Sequence, residues 1–191
     1  VPAMSLTRLL AANHRRMPLY YSGRETTEIA VWPEGAGLQD FGWRLSMAGV
    51  SEHGAFSAFP GIDRTLAVLS GGGIELEVEG RGRHRVTQGT EPLAFPGDVA
   101  ATAHLLVGPI TDLNLMTRRG AYVHQLRHAT DPAPLGHPDW LVMLATADVT
   151  VRIAGQEVVL APLDALLCDG DDAAAAPAPA QDLWLAAISR V

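Results

Sequence analysis

The sequence predicts an all-β chain made of two fused copies of a small barrel-like unit, and three observations predict it. Proline and glycine are scattered along the whole length and separate short segments of alternating polarity, as strands joined by turns require. One stretch near the start, "LTRLLAAN", reads as a helical turn, and a short one. An internal repeat supplies the rest: Leu66, Ile74, Leu76, Val78 and Gly80 recur as Leu141, Val149, Val151, Ile153 and Gly155 at an offset of 75. "PLAFPGD" (Pro92–Asp98) finds its counterpart in "DALLCDGD" (Asp164–Asp171) after a slip of two residues. Closure of each copy would remove exposed sheet edges.

Taken in order, "EIAVW" (Glu28–Trp32), "WRLSMA" (Trp43–Ala48) and "RTLAVL" (Arg64–Leu69) read as strands. In "GIELEVEG", Ile74, Leu76 and Val78 alternate with Glu75, Glu77 and Glu79, which buries one face and wets the other. "RRGAYVHQLRHATDP" reads as a strand followed by a loop, "DGDDAAAAPAPAQD" as a low-complexity loop, and "LWLAAISRV" as a terminal strand. The expected division is an N-terminal half over residues 1–120 and a C-terminal half over 121–191, together one compact unit.

Composition removes several function classes. The formal net charge is -7, opposite to the basic surface that nucleic acid demands. No polybasic anchor, signal-peptide core or membrane-length apolar run is present. The single cysteine, Cys168, supports neither a disulfide framework nor a thiolate metal cage, and a cytoplasmic location is the default. A monomer or homodimer is expected.

Several separate motifs in the first copy carry a family resemblance. "WRLSMA", "HGAFSAFPGIDRTLAVLSGGG", "PLAFPGD" and "GPITDLNLMTRRG" together closely resemble the HutD/Ves family of bicupin proteins. The likeness covers roughly Leu6 to Gly120; beyond it the repeat carries the fold. The resemblance implies a bicupin and a role in histidine utilisation, through binding of a pathway intermediate such as urocanate or formylglutamate. One run departs from the family, which carries W-K-N-G-G-G-x-T-x-E-I after Met-Pro. Here Met17-Pro18 is followed by "LYYSGRETTEI", in which Gly23, Thr26, Glu28 and Ile29 match. Leu19, Tyr20, Tyr21 and Arg24 replace the family's Trp, Lys, Asn and Gly, which changes the local hydrogen-bonding inventory. Altered or lost ligand binding and simple loop drift are both open readings.

No cofactor or metal is expected. Metal-dependent cupins place a His-x-His pair before the "VL-x-G" turn, and "FSAFPGIDRTLAVLSG" has no histidine. His124 and His128 lie on a segment read as a strand, where four residues span roughly 13 Å, too far for two ligands of one ion. Cys168 in "LLCDG" has two acids nearby that would raise a thiol pKa. "SGGG" lacks the Gly-Lys-Ser/Thr ending of a phosphate loop.

What remains is a set of polar residues on strands. Strand alternation puts Arg44 and Ser46 on one face, with Trp43, Leu45 and Met47 on the other. Asp112, Asn114 and Met116 likewise oppose Leu113 and Leu115. Arg44 reads as an exposed outer-face charge, with a place in the site as the alternative. Glu28 and Arg64 read either as an internal ion pair or as a ligand clamp. Asn114 reads as inward-facing, Asp63 as a turn residue, and Arg118 and Arg119 as a solvated strand end. The candidate ligand-binding set is Arg64, Glu28, Ser46, Asn114, Thr26, Arg44 and Met116. Arg64 would hold a small carboxylate by its planar fork. Two alternatives stay open: a cofactor-free isomerase or hydrolase with Glu28 as general base, and a bicupin whose site has decayed.

Overall fold

Residues 5–18, 25–131, 133–153, 155–170, 177 and 179–191 are described by a computed structural model. The divergent run 19–24 and half of the low-complexity loop lie outside them. Among the described residues nearly everything regular is strand. No helix is long and apolar enough to cross a membrane.

The chain divides into two units, Arg15–Ala121 in one and the described residues of Val1–His14 and Tyr122–Val191 in the other. The described residues of the first fourteen, expected with the N-terminal half, are grouped with Tyr122–Val191. Strand β1 (Ser5–Leu9) does not join the strands that follow it. The segment read as a helical turn is extended over most of its length, with a 3₁₀ turn only at Ala11–Asn13. Backbone pairing to a distant strand outweighs the weak local preference of "SLTRL".

The first unit is two packed sheets. β2 (Arg15–Pro18), β3 (Glu25–Trp32), β4 (Trp43–Val50), β5 (Gly54–Ala55), β6 (Ile62–Gly71), β7 (Ile74–Val78), β8 (Gly82–Val86), β9 (Leu93–Pro96), β10 (Ala101–Leu105) and β11 (Ile110–Arg118) supply the strands. The six-stranded sheet runs β2-β3-β4-β11-β6-β9 and the four-stranded sheet β5-β10-β7-β8. One core joins them: Val50, Leu66, Val68, Phe95 and Ile110 from the first meet Ile74, Leu76, Val78, Val86 and Ala103 from the second. The alternation of β7 is realised as expected, with Ile74, Leu76 and Val78 buried and Glu77 exposed.

In the second unit, β12 (Tyr122–His128), β13 (Trp140–Ala145), β14 (Val149–Ile153), β15 (Gln156–Leu160), β16 (Ala165–Asp169) and β17 (Leu183–Arg190) follow. The five-stranded sheet runs β1-β16-β13-β17-β12, and β14 and β15 form a hairpin. The repeat is visible in this hairpin: Gly80 after β7 and Gly155 after β14 both turn through left-handed backbone, φ +74° and +75°. Glycine adopts that conformation without steric cost. Cys168 is buried in the core of β16.

Asp164 fastens the N-terminal segment to this unit. Its carboxylate accepts from Arg8 Nη2 at 2.8 Å, Ala11 N at 2.9 Å and Ala161 N at 3.2 Å. His14 Nε2 lies 2.8 Å from the Leu163 carbonyl. The donors, Ala11 and Arg8 foremost, hold the Asp164 carboxyl below its ordinary value of 3.8. A depressed carboxyl pKa stabilises the fold above the unfolded pKa, and that contribution is lost as pH falls through the folded one. Asp164→Asn is therefore expected to cost about 1–3 kcal/mol at neutral pH. The gap between variant and native protein should narrow below the ordinary carboxylate pKa. Denaturant unfolding at neutral pH and at acid pH measures both.

Candidate functional site

The six-stranded sheet turns one face of its central strands inward, and that face is not uniformly apolar. Register places Met116 of β11 opposite Arg44 on β4 and opposite Arg64 on β6. Asn114 is opposite Ser46 and Leu66, and Asp112 is opposite Ala48 and Val68. Glu28 on β3 faces Ser46. Directly paired residues share a face, so Glu28, Arg44, Ser46, Arg64, Asp112 and Asn114 form one polar band. Leu66, Val68 and Val50 bound it on the side of the core. Phe41, Ile62 and Met116 form a second apolar cluster.

Arg44 corrects the sequence reading. It is 2% exposed, not an outer-face charge. The reason is that β4 is an interior strand with both faces covered: Trp43, Leu45 and Met47 on the opposite face are buried as well. Alternation there sorts residues between two buried environments, and not between water and core.

Of the two readings of Glu28 and Arg64, an ion pair between them does not form. β4 and β11 stand between their strands, which separates the backbones by roughly 14 Å at the usual strand spacing. Glu28 instead accepts from Arg44 Nε at 2.7 Å, while Arg44 Nη1 donates to Ser46 Oγ at 3.0 Å. Arg64 donates from Nη2 to Asn114 Oδ1 at 2.7 Å and from Nη1 to the Ser57 carbonyl at 3.2 Å. Asn114 passes the network on, its Nδ2 donating to Asp112 Oδ1 at 2.8 Å.

Two guanidinium N–H groups of this network are buried without a hydrogen-bond acceptor, Arg44 Nη2 and Arg64 Nε. Three phenyl rings surround the Arg64 guanidinium, those of Phe95, Phe56 and Phe59 at 5.1, 5.2 and 5.7 Å. Ring faces attract a cation and shed water from it. Burial lowers the Arg64 pKa to about 10; nearby Asp112 opposes the shift and Arg44 adds to it. The group stays a cation at neutral pH.

A cavity of about 840 Å³ opens on the band. Arg64, Ser46, Asn114, Thr26, Arg44 and Met116 line it; Glu28 does not. Among the described lining residues, Arg15, Arg16, Arg44, Arg64 and Arg118 are cations and Asp112 is the one carboxylate. Histidine and cysteine are missing from that lining. Among the described residues no cluster of three or more His, Cys, Asp or Glu could hold a metal ion. A base at Glu28 and an electrophile at Arg64 do not converge, because Arg44 holds the Glu28 carboxylate.

Phe56, Ser57 and Phe59 also form part of the wall. Sequence reasoning missed them, although "HGAFSAFPG" was in view, because an irregular segment has no period to assign faces. Asp63 and Arg119 were read apart and are partners. Arg119 bridges Asp63 Oδ1 at 2.9 Å and Asp98 Oδ2 at 2.8 Å, and its own pKa is raised by both. The hydrogen bond from Arg119 holds Asp98 down at about 2. Gly97 of "PGD" lies so close to the chain that a Cβ there would sit 2.9 Å from the Ile62 carbonyl oxygen and 3.2 Å from Arg64 Cγ. Glycine keeps the Arg64 stem in place.

The HutD family profile matches residues 11–185. The chain belongs to the HutD family. An uncharacterized 21.2 kDa protein in the hutC 3′ region of Pseudomonas putida is 37% identical to this HutD-family chain over 173 residues, 88% of this chain and 90% of that one. Protein Ves of Citrobacter koseri is 39% identical over 109 residues, 55% of this chain and 56% of its own. A solved HutD of Pseudomonas fluorescens, in a formate condition, superposes with a TM-score of 0.78 at 28% identity, covering 98% of this chain and 100% of that one. A Cupin 2 conserved barrel domain protein of Leptotrichia buccalis, at 9% identity and TM-score 0.52 over 96% of this chain and 100% of its own, shows the cupin fold alone.

The buried ion pair gives a direct test of this geometry. Arg44→Met leaves the Glu28 carboxylate buried without its cation and should destabilise by about 3–5 kcal/mol. Adding Glu28→Gln should recover part of that loss. Urea unfolding of the two variants checks it; a cost for Arg44→Met no larger than that of a surface substitution would contradict the buried pair.

Proposed function

We propose that this HutD-family protein binds a small carboxylate in the cavity of its first unit. One observation carries the reading: the buried arginines Arg44 and Arg64 border a cavity whose described wall holds five arginines and one carboxylate. Such an excess of cations favours an anion. A carboxylate meets two parallel N–H donors of a guanidinium in one plane. The chain as a whole carries a net charge of -7, so the local excess of cations is specific to the cavity.

In this reading Arg64 is the primary contact, Asn114 fixes its guanidinium, and Arg44 with Ser46 supplies the second donor group. Glu28 acts behind the wall by orienting Arg44. The donor chemistry favours an anion over a metal, since arginine cannot ligate a cation. Histidine utilisation is the setting we propose, with an intermediate such as urocanate or formylglutamate as ligand and flux control as the role. The hutC 3′ region relative supports that setting.

Thermal unfolding with formate, acetate, urocanate, formylglutamate and glutamate tests the reading. A ligand present at a hundred times its Kd stabilises the native state by about 2.7 kcal/mol, which should raise the melting temperature by several degrees. Arg64→Met and Ser46→Ala should each remove most of the shift, and Arg83→Ala on the surface should keep it. The absence of any shift across the five acids, or an undiminished shift in Arg64→Met, overturns the proposal.

A further inference from the structure

Resting on the carboxylate reading, we infer that the ligand is a monocarboxylate with an apolar, preferably aryl, body. A short polar acid or a dicarboxylate matches the cavity less well, so of the two intermediates proposed above urocanate, a monocarboxylate on an aryl ring, is favoured over formylglutamate, a dicarboxylate. Three features of the same wall lead there.

The first is size. The cavity measures about 840 Å³, within the range of about 300–1,000 Å³ that encloses drug-sized ligands. A two-carbon acid would leave most of that volume to water.

The second is the character of the wall away from the polar band. Phe56, Phe59, Ile62, Met17 and Leu38 line it. Phe56 and Phe59 also stack on the Arg64 guanidinium, at 5.2 and 5.7 Å. A carboxylate seated on Arg64 therefore brings its first carbons against phenyl rings, where an aryl group gains offset or edge-to-face contact.

The third concerns the remaining cations, which decide between one anionic end and two. Arg118 directs Nε and Nη2 to the Phe41 carbonyl and Nη2 also to the Gln39 carbonyl. Arg16 is exposed and faces Glu25 at 3.6 Å. Arg15 is exposed, where water and salt screen its field. Of the described lining arginines only Arg44 and Arg64 are buried; they flank Met116 on the strands either side of it, about 10 Å apart at the backbone. Both serve one headgroup region.

Titration calorimetry on the full chain at neutral pH, with acetate, butyrate, hexanoate, 3-phenylpropionate and glutarate, tests the inference. Each methylene buried is worth about 0.8 kcal/mol, so affinity should tighten about fourfold per carbon from acetate to hexanoate. 3-Phenylpropionate should bind at least a hundredfold tighter than acetate, and glutarate no tighter than butyrate. Equal affinities along the series, or glutarate as the tightest ligand, would overturn the apolar-body inference and leave carboxylate binding standing. If none of the five acids binds, the carboxylate reading fails and this inference with it.

Discussion

Two guanidinium groups buried on the inner face of a sheet are the constraint on which the rest of the first unit depends. Desolvating a cation is costly, and a protein tolerates it only with hydrogen bonds and opposing charge. Arg44 meets that demand with Glu28 and Ser46, and Arg64 with Asn114, the Ser57 carbonyl and three phenyl rings. Each partner in turn fixes something else. Asn114 ties in Asp112, which also accepts from Ala48 N at 3.2 Å, so the network spans β4, β11 and β6. The Ser57 contact ties the segment before β6 to the cavity wall. Gly97 leaves no room for a Cβ, which would meet the Ile62 and Phe59 carbonyl oxygens and then the Arg64 stem.

The second unit has a different inner face. Its interior strand β17 presents Leu183, Leu185 and Ala187 to an apolar core, where the corresponding strand β11 presents Asp112, Asn114 and Met116. The repeat preserved the apolar positions that close a hairpin and a core, while among the described residues the polar band lies on β3, β4, β6 and β11 of the first copy. Two copies of one scaffold can thus present different inner faces, in keeping with the general separation of fold from site.

The strands and the repeat could be read from periodicity because a strand with one wet face advertises itself every second residue, as β7 does. The family resemblance rested on motifs that the family profile bears out across residues 11–185. Elsewhere periodicity was silent. β1 carries a helix-compatible sequence and is a strand only because β16 pairs with it. Arg44 was placed outside because alternation reports which residues share a face, and not whether that face meets water. Phe56 and Phe59 escaped notice because an irregular segment has no faces to count.

The sequence by itself determined the all-β class, the duplicated hairpin with its paired glycines, the family, and the polar residues worth watching. These follow from local geometry: the two-residue period of a strand and the steric freedom of glycine are properties of short stretches of chain. Tertiary structure alone decided who pairs with whom. Glu28 bonds Arg44 and not Arg64 because sheet order puts two strands between them, and Asp63 meets Arg119 across 56 residues of sequence. Such contacts depend on strand order and register, which no single segment encodes. It is that order which brings the buried arginines to one cavity.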